Sequence, residues 1–348
     1  MKRFLLFSVV CALAVLTAGC KGYDNVDVSA FGAKAPDIPL IDVRTADEYA
    51  EGHIPGAVNV DWMSEGFIEK VKELIPENSP VAVYCRTGRR SSEAAGKLAK
   101  AGYSVTNLTG GYEAWTEAEG KVSKYEIESF CTKSGDQLRI TLIKHGTLAI
   151  DYAGLSIQVD PVSQYLSSGD YAAEFSKADV ILITHEHGDH LDAKAVEALC
   201  GDNTKIYLNQ SSADKLGAGE VLGNGDVRDL SREGHEIVLE AVPAYNITPG
   251  HERFHPKGNG NGYVLAFDGF RVYVAGDTED IPEMADLKDV DVAFLPVNQP
   301  YTMTVDQCVA AATAFKPKVL IPYHFSNTDL SALPGLLPGT DVRIRNMQ

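Results

Sequence analysis

The chain has 348 residues, 45% of them hydrophobic and 23% charged, which suits two core-forming domains and excludes a disordered tail or a multi-span membrane protein. Its 48 Asp+Glu outweigh 31 Lys+Arg for a formal charge of −17, and with no basic block a nucleic-acid backbone is not an expected partner. Six cysteines in a chain of this length exclude a disulfide scaffold.

Lys2 and Arg3 precede an apolar run from Phe4 to Ala18, followed by Gly19-Cys20. The run is short of the ~20 apolar residues of a membrane span. A basic start, a short apolar core and small residues at its end read as a secretory signal. Leu16-Thr-Ala-Gly-Cys20 resembles a bacterial lipobox, with its leucine one position further from the cysteine than usual. The resemblance implies a signal peptide over residues 1–19, a lipidated Cys20, and a protein anchored to a membrane outside the cytoplasm. Residues 20–35 are polar with Gly and Asp and read as a tether.

Next comes an α/β unit, assigned to 36–120. Leu40–Val43 and Val81–Tyr84 are short apolar runs with β-branched residues that predict buried strands. Ser91–Ala101 has Ala94, Ala95, Leu98 and Ala99 at helical spacing, with Gly102 closing it. The alternation predicts a parallel sheet flanked by helices. Between strand and helix lies Cys85-Arg-Thr-Gly-Arg-Arg90. A cysteine there faces the free N–H groups and positive dipole end of the helix, and three arginines reinforce the field. Both effects favour a nucleophilic thiolate at Cys85, and the same loop suits an anionic thiosulfonate or persulfide.

The text around it resembles a rhodanese domain: Asp42-Val-Arg44, Glu48-Tyr49, Gly52-His-Ile-Pro-Gly-Ala-Val-Asn59, the cysteine loop, and Gly110-Gly-Tyr-Glu-Ala-Trp115. The resemblance implies sulfane-sulfur transfer through a Cys85 persulfide, with Arg86 and Arg90 assisting and a sulfane-sulfur donor as partner. His53 belongs to a structural turn in that family. A buried inert thiol, or half of a disulfide, is the alternative for Cys85.

Residues 121–135 are charged and aperiodic and read as a linker. From 136 to 348 the pattern changes. Leu138–Ile143, Thr147–Tyr152 and Leu155–Val159, split by His145-Gly146 and Ala153-Gly154, predict an antiparallel meander. Later apolar runs at Val180–Ile183, Ile206–Leu208, Tyr263–Phe267, Arg271–Ala275 and Val292–Leu295 alternate with helix-like stretches at Ala193–Cys200 and Val305–Ala314. Two sheets sandwiched by helices are expected.

The run Val180–Ile183 feeds Thr184-His-Glu-His-Gly-Asp-His190, and three of the chain's nine histidines fall in that window. Imidazole and carboxylate crowded at a strand end suit a divalent metal better than packing. HxHxDH resembles the signature of the metallo-β-lactamase superfamily, nearest its lactonase-like branch. Two more strands resemble its later motifs: Arg271–Ala275 leads to Asp277, and Lys318–Tyr323 leads to His324. The resemblance runs from about Leu138 to Phe325. It implies an αββα sandwich whose ligands are His185, His187, Asp189, His190, Asp277 and His324. It also implies that Asp160 buttresses the site without binding metal.

One position departs from the family: where a metal histidine is usual, this chain has Asn246. His251 and His255 lie in the following loop, and His255 is favoured because Pro256 fixes an extended approach. The adjacent run Gly258–Gly262 reads as a mobile substrate loop. Tyr301 is a candidate to line the substrate pocket, or a core aromatic.

These features together suggest a lipid-anchored fusion of a sulfurtransferase and a metal-dependent hydrolase. Two zinc ions, or Mn or Fe, would activate water against a small ester, lactone, amide or phosphoester, with Asp189 orienting the water. Persulfide dioxygenases, which join the same two folds around one iron, are the runner-up. A rhodanese fold serving only as a docking module is a third reading.

Overall fold

The computed structural model describes residues 22–35 and 38–347. The expected signal peptide and lipidation site Cys20 lie outside the described residues.

Among the described residues the strands form three sheets. The first is wholly parallel, with β1 (Asp24–Val26), β2 (Leu40–Asp42), β3 (Ala57–Asn59), β4 (Pro80–Tyr84) and β5 (Ser104–Leu108) in the spatial order β1-β5-β4-β2-β3. Helices α1 (Val28–Lys34), α2 (Ala46–Glu51), α3 (Phe67–Leu74), α4 (Arg89–Lys100) and α5 (Gly111–Glu117) flank it. The central strand β4 is buried on both faces, as parallel strands between helices must be. Val81 and Val83 pack with Val71, Ala94 and Leu98, while Ala82 and Tyr84 pack with Phe31 and Tyr49. A capping box between Thr45 and Glu48 starts α2.

The expected tether over 20–35 is corrected here. Asp24–Val26 pairs with β5 as the edge strand, and Asp27 caps α1, which buries Phe31. A three-residue edge strand is held by backbone pairing, so its polar side chains gave no periodic signal.

Two further sheets make the larger domain. One runs β12-β11-β10-β9-β8-β7-β6, built from β6 (Glu126–Cys131), β7 (Gln137–Lys144), β8 (Thr147–Tyr152), β9 (Leu155–Val159), β10 (Val180–Leu182), β11 (Lys205–Leu208) and β12 (Glu220–Val221). The other runs in chain order through β13 (Val227–Asp229), β14 (Ile237–Ala244), β15 (Gly260–Phe267), β16 (Phe270–Val274), β17 (Val292–Pro296), β18 (Val319–Tyr323) and β19 (Asp341–Val342). Each begins antiparallel and ends parallel. Their inner faces share one core, with Leu138, Ile140, Ile150 and Ile157 meeting Leu239, Leu265, Val272 and Phe294. Outer residues Ile181 and Ile183 pack on α6 (Ala193–Leu199) through Ala195 and Leu199. Helix α7 (Val305–Phe315) buries Cys308, Ala311 and Phe315 against the second sheet. The fold is the expected αββα sandwich after a parallel-sheet domain.

The expected linker over 121–135 is also corrected, because it contains β6, paired in register with β7 from Glu126↔Leu142 to Cys131↔Gln137. Its charge is structural: buried Glu128 accepts hydrogen bonds from Arg343 and Arg345 near the C-terminus. The glycines at 260 and 262 are not a mobile loop either. They start β15, where a Cβ on each would stand 2.8 Å from the carbonyl oxygens of Ala244 and Ala275, so their absent side chains permit close backbone approach.

Candidate metal centre

The strand ends of β10, β16 and β18 deliver the His185–His190 turn, Asp277 and His324 to one edge of the sandwich. His255 joins them from the loop between β14 and β15. Asp277 stands at the centre, only 4% exposed. On one side His255 Nε2 lies 3.2 Å and His185 Nε2 3.8 Å from its Oδ2, and His185 Nε2 is 3.0 Å from His187 Nδ1. On the other side His324 Nε2 is 3.3 Å from Oδ2 and His190 Nε2 is 3.4 Å from Oδ1. Asp189 Oδ2 lies 3.7 Å from His324 Nε2 and 4.0 Å from His190 Nε2.

The chemistry of these donors fits a metal. His190 Nε2, His255 Nε2, His324 Nε2 and Asp277 Oδ1 are buried without a hydrogen-bond partner among the described residues, although an unpaired buried polar atom costs about 1–3 kcal/mol. Such atoms converging from four chain segments mark a cation's place. Burial pushes the His185 imidazole well below its ordinary pKa, and neutral imidazole is the ligating form. Burial opposes ionisation of Asp277, but the imidazoles of His324 and His190 hold it well below the carboxylate range.

A second layer aims these rings. Asp160, fully buried, accepts from His190 Nδ1 at 2.7 Å and from Thr184 N and Oγ1, each at 2.7 Å. Thr184 Oγ1 in turn accepts from His185 Nδ1 at 3.0 Å. His255 Nδ1 donates to the Tyr301 carbonyl at 3.0 Å. Each of these bonds commits Nδ1 and leaves Nε2 to face the centre. Asp160, His324 and His145 all adopt left-handed backbone, with φ of 45°, 47° and 57°, a conformation that non-glycine residues hold at a cost and that clusters at functional sites.

Of the three groups competing for the odd position, only His255 reaches the centre. His251 Nδ1 pairs with Glu279 Oε1 at 3.0 Å. Asn246 turns its Nδ2 to the Tyr301 carbonyl at 2.7 Å. Tyr301 therefore supports the site through its backbone. The residue is 46% exposed, and its ring packs edge-on against Phe254 outside the core. Sequence reading missed His145, whose Nε2 lies 3.2 Å from Asp189 Oδ2. The only available signal was a histidine where a hairpin turn ordinarily takes Asn or Gly.

In the smaller domain Cys85 follows β4 and is 1% exposed. The Gly88 amide donates to its Sγ at 3.2 Å. Arg90 makes two 2.7 Å bonds to the Glu48 carboxylate, and its pKa is raised chiefly by that pairing and further by Cys85. Arg86 pairs with Glu113 at 2.8 Å on the surface. The Gly110-Gly111 turn presses on the loop: a Cβ at Gly111 would sit 2.3 Å from the Cys85 carbonyl oxygen. Among the described residues Cys85, Cys131, Cys200 and Cys308 are all free thiols.

Comparison with known proteins agrees with both halves. The rhodanese-like domain family matches residues 29–118 and the beta-lactamase superfamily domain matches residues 139–324. A UPF0173 metal-dependent hydrolase of Archaeoglobus fulgidus is 30% identical over 200 residues, covering 56% of this chain and 85% of its own. The crystal structure of a metal-dependent hydrolase from Parabacteroides distasonis is 57% identical with a TM-score of 0.61, covering 64% of this chain and 100% of that one. The metallo hydrolase Igni18 of Ignicoccus hospitalis is 25% identical with a TM-score of 0.51, covering 60% and 95% respectively. The chain thus belongs to the metallo-β-lactamase superfamily, as a metal-dependent hydrolase carrying an N-terminal rhodanese-like domain.

Proposed function

We propose that the larger domain is a dinuclear hydrolase of a small ester, lactone, amide or phosphoester. The observation that carries this reading is the sharing of Asp277 between two donor groups, His185, His187 and His255 on one side and Asp189, His190 and His324, with His145 adjoining them, on the other. A divalent metal held there, zinc being the first choice, would supply Lewis acidity and activate water at the site. The protein's part is orientation. Asp160 and the Tyr301 carbonyl fix the imidazole tautomers, and burial excludes bulk water from Asp277. Asp189, with 42% of its side chain exposed, is the carboxylate placed at the mouth to orient the attacking water and accept its proton. A mono-iron persulfide dioxygenase has no use for the second donor group, so hydrolysis is preferred. The test is a panel of lactone, phosphodiester, carboxylic ester and persulfide substrates offered to the metal-stripped and the reloaded full chain. Metal-dependent turnover of a hydrolysable substrate supports the reading; oxygen consumption with a persulfide refutes it.

The smaller domain is proposed to carry sulfane sulfur as a Cys85 persulfide, with the Gly88 amide and Arg90 beside the sulfur. We further propose that Cys20 is lipidated and holds the protein on a membrane outside the cytoplasm. Cys20→Ser should then release the protein or leave the signal uncleaved. Soluble wild-type protein with a mature N-terminus elsewhere would refute the anchor.

A further inference from the structure

His145 was not among the expected ligands, yet it lies in one cluster with Asp189, His190 and His324. It sits in the hairpin between β7 and β8 and is held from three directions. Its N–H donates to the Met347 carbonyl at 3.0 Å, and its carbonyl accepts from His324 N at 3.2 Å. Its ring lies against the His324 ring, tilted by 39° with 3.6 Å between centroids. The left-handed backbone at 57° is a strained choice for histidine, where Asn or Gly would relieve the turn at no cost to the hairpin. Gly146 completes the fit: a Cβ there would lie 2.7 Å from His190 Cε1. The whole turn is pressed against the site, and the group it presents is an imidazole.

That imidazole meets one partner. His145 Nε2 lies 3.2 Å from Asp189 Oδ2. Asp189 has 42% of its side chain exposed, and within the described residues no hydrogen bond restrains its carboxylate apart from those of its neighbouring imidazoles. A half-exposed carboxylate rotates freely about its terminal torsion unless something fixes it. We propose that His145 is a positioning residue, donating from Nε2 to Asp189 and so fixing the carboxylate toward the second donor group. It plays for Asp189 the part that Asp160 plays for His190 and the Tyr301 carbonyl plays for His255. The inference rests on the dinuclear reading above.

The test is cobalt(II) titration of the full chain, read by its visible d–d spectrum, with His145→Ala and His145→Gln. Wild type should take two equivalents. His145→Ala should still take two, with the weaker equivalent bound about 10–100-fold less tightly, the range for losing a ligand's outer partner, and with an altered spectrum. His145→Gln keeps an N–H donor at similar reach and should recover most of both. An unchanged second affinity and spectrum in His145→Ala overturns the proposal alone. Loss of one equivalent at saturating cobalt also overturns it, because His145 would then be a ligand. A single equivalent in wild type overturns the dinuclear reading and this inference with it.

Discussion

Replacing His255 and His251 separately by alanine divides metal binding from stability within one loop. His255 is 6% exposed, with Nδ1 committed to the Tyr301 carbonyl and Nε2 unpartnered beside Asp277. His255→Ala removes a donor outright, which should exceed the loss for an outer partner, so metal affinity should fall at least about 100-fold, or roughly 2.7 kcal/mol. His251 instead faces Glu279, whose side chain is fully buried. That carboxylate keeps the Ile247 and Thr248 amides as donors, at 2.7 and 2.5 Å. Losing the third costs about 1.5 kcal/mol, the lower end for a hydrogen bond to a charged group, and about 3–6 °C in thermal midpoint for a domain of this size. Metal affinity is measured by competition with a chromogenic chelator, and stability by thermal unfolding of the metal-free protein. His255→Ala should lose metal and His251→Ala should lose only stability. The reverse assignment would refute the geometry of the loop.

Asp160→Asn removes the acceptor for His190 Nδ1 and Thr184 Oγ1 and should weaken metal binding about 10–100-fold on chelator competition; wild-type affinity would contradict its buttressing role. Glu48 is held at about 2, down from an ordinary 4.5, mainly by hydrogen bonds from Arg90. Its contribution is therefore full above pH 4.5 and lost as pH falls through about 2. The stability gap between wild type and Glu48→Gln, screened to about 1 kcal/mol or less, should be flat from pH 7 to 5 and close near pH 2 in denaturant unfolding. A gap that survives at pH 2 would contradict the pairing. Cys85→Ser should abolish thiosulfate-dependent persulfide formation, read as one added sulfur by mass spectrometry, and leave hydrolysis intact. Loss of both activities would argue against independent sites.

Much of the fold was legible because buried parallel strands such as Val81–Tyr84 and Val180–Leu182 are continuous apolar runs with β-branched residues. The His185–His190 turn, Asp277 and His324 were legible because each begins within three residues of the end of such a strand. What escaped lay where tertiary contacts override local pattern. β1 and β6 are edge strands whose polar side chains mask their pairing, and Glu128 finds its arginines more than two hundred residues away. The glycines of β15 read as loop because the carbonyls that forbid a side chain come from neighbouring strands. His145 was invisible as a donor because only the folded sandwich brings a hairpin turn against His324. His255 was separable from His251 by one local cue, the proline after it, and by the Tyr301 carbonyl 46 residues on.

The most direct test of the account is elemental analysis of the purified full chain beside Asp277→Ala. Asp277 faces both donor groups, so wild type should hold two equivalents of divalent metal and the variant should lose affinity for both together. One equivalent in wild type, or a variant that loses one and holds the other unchanged, would contradict a shared centre.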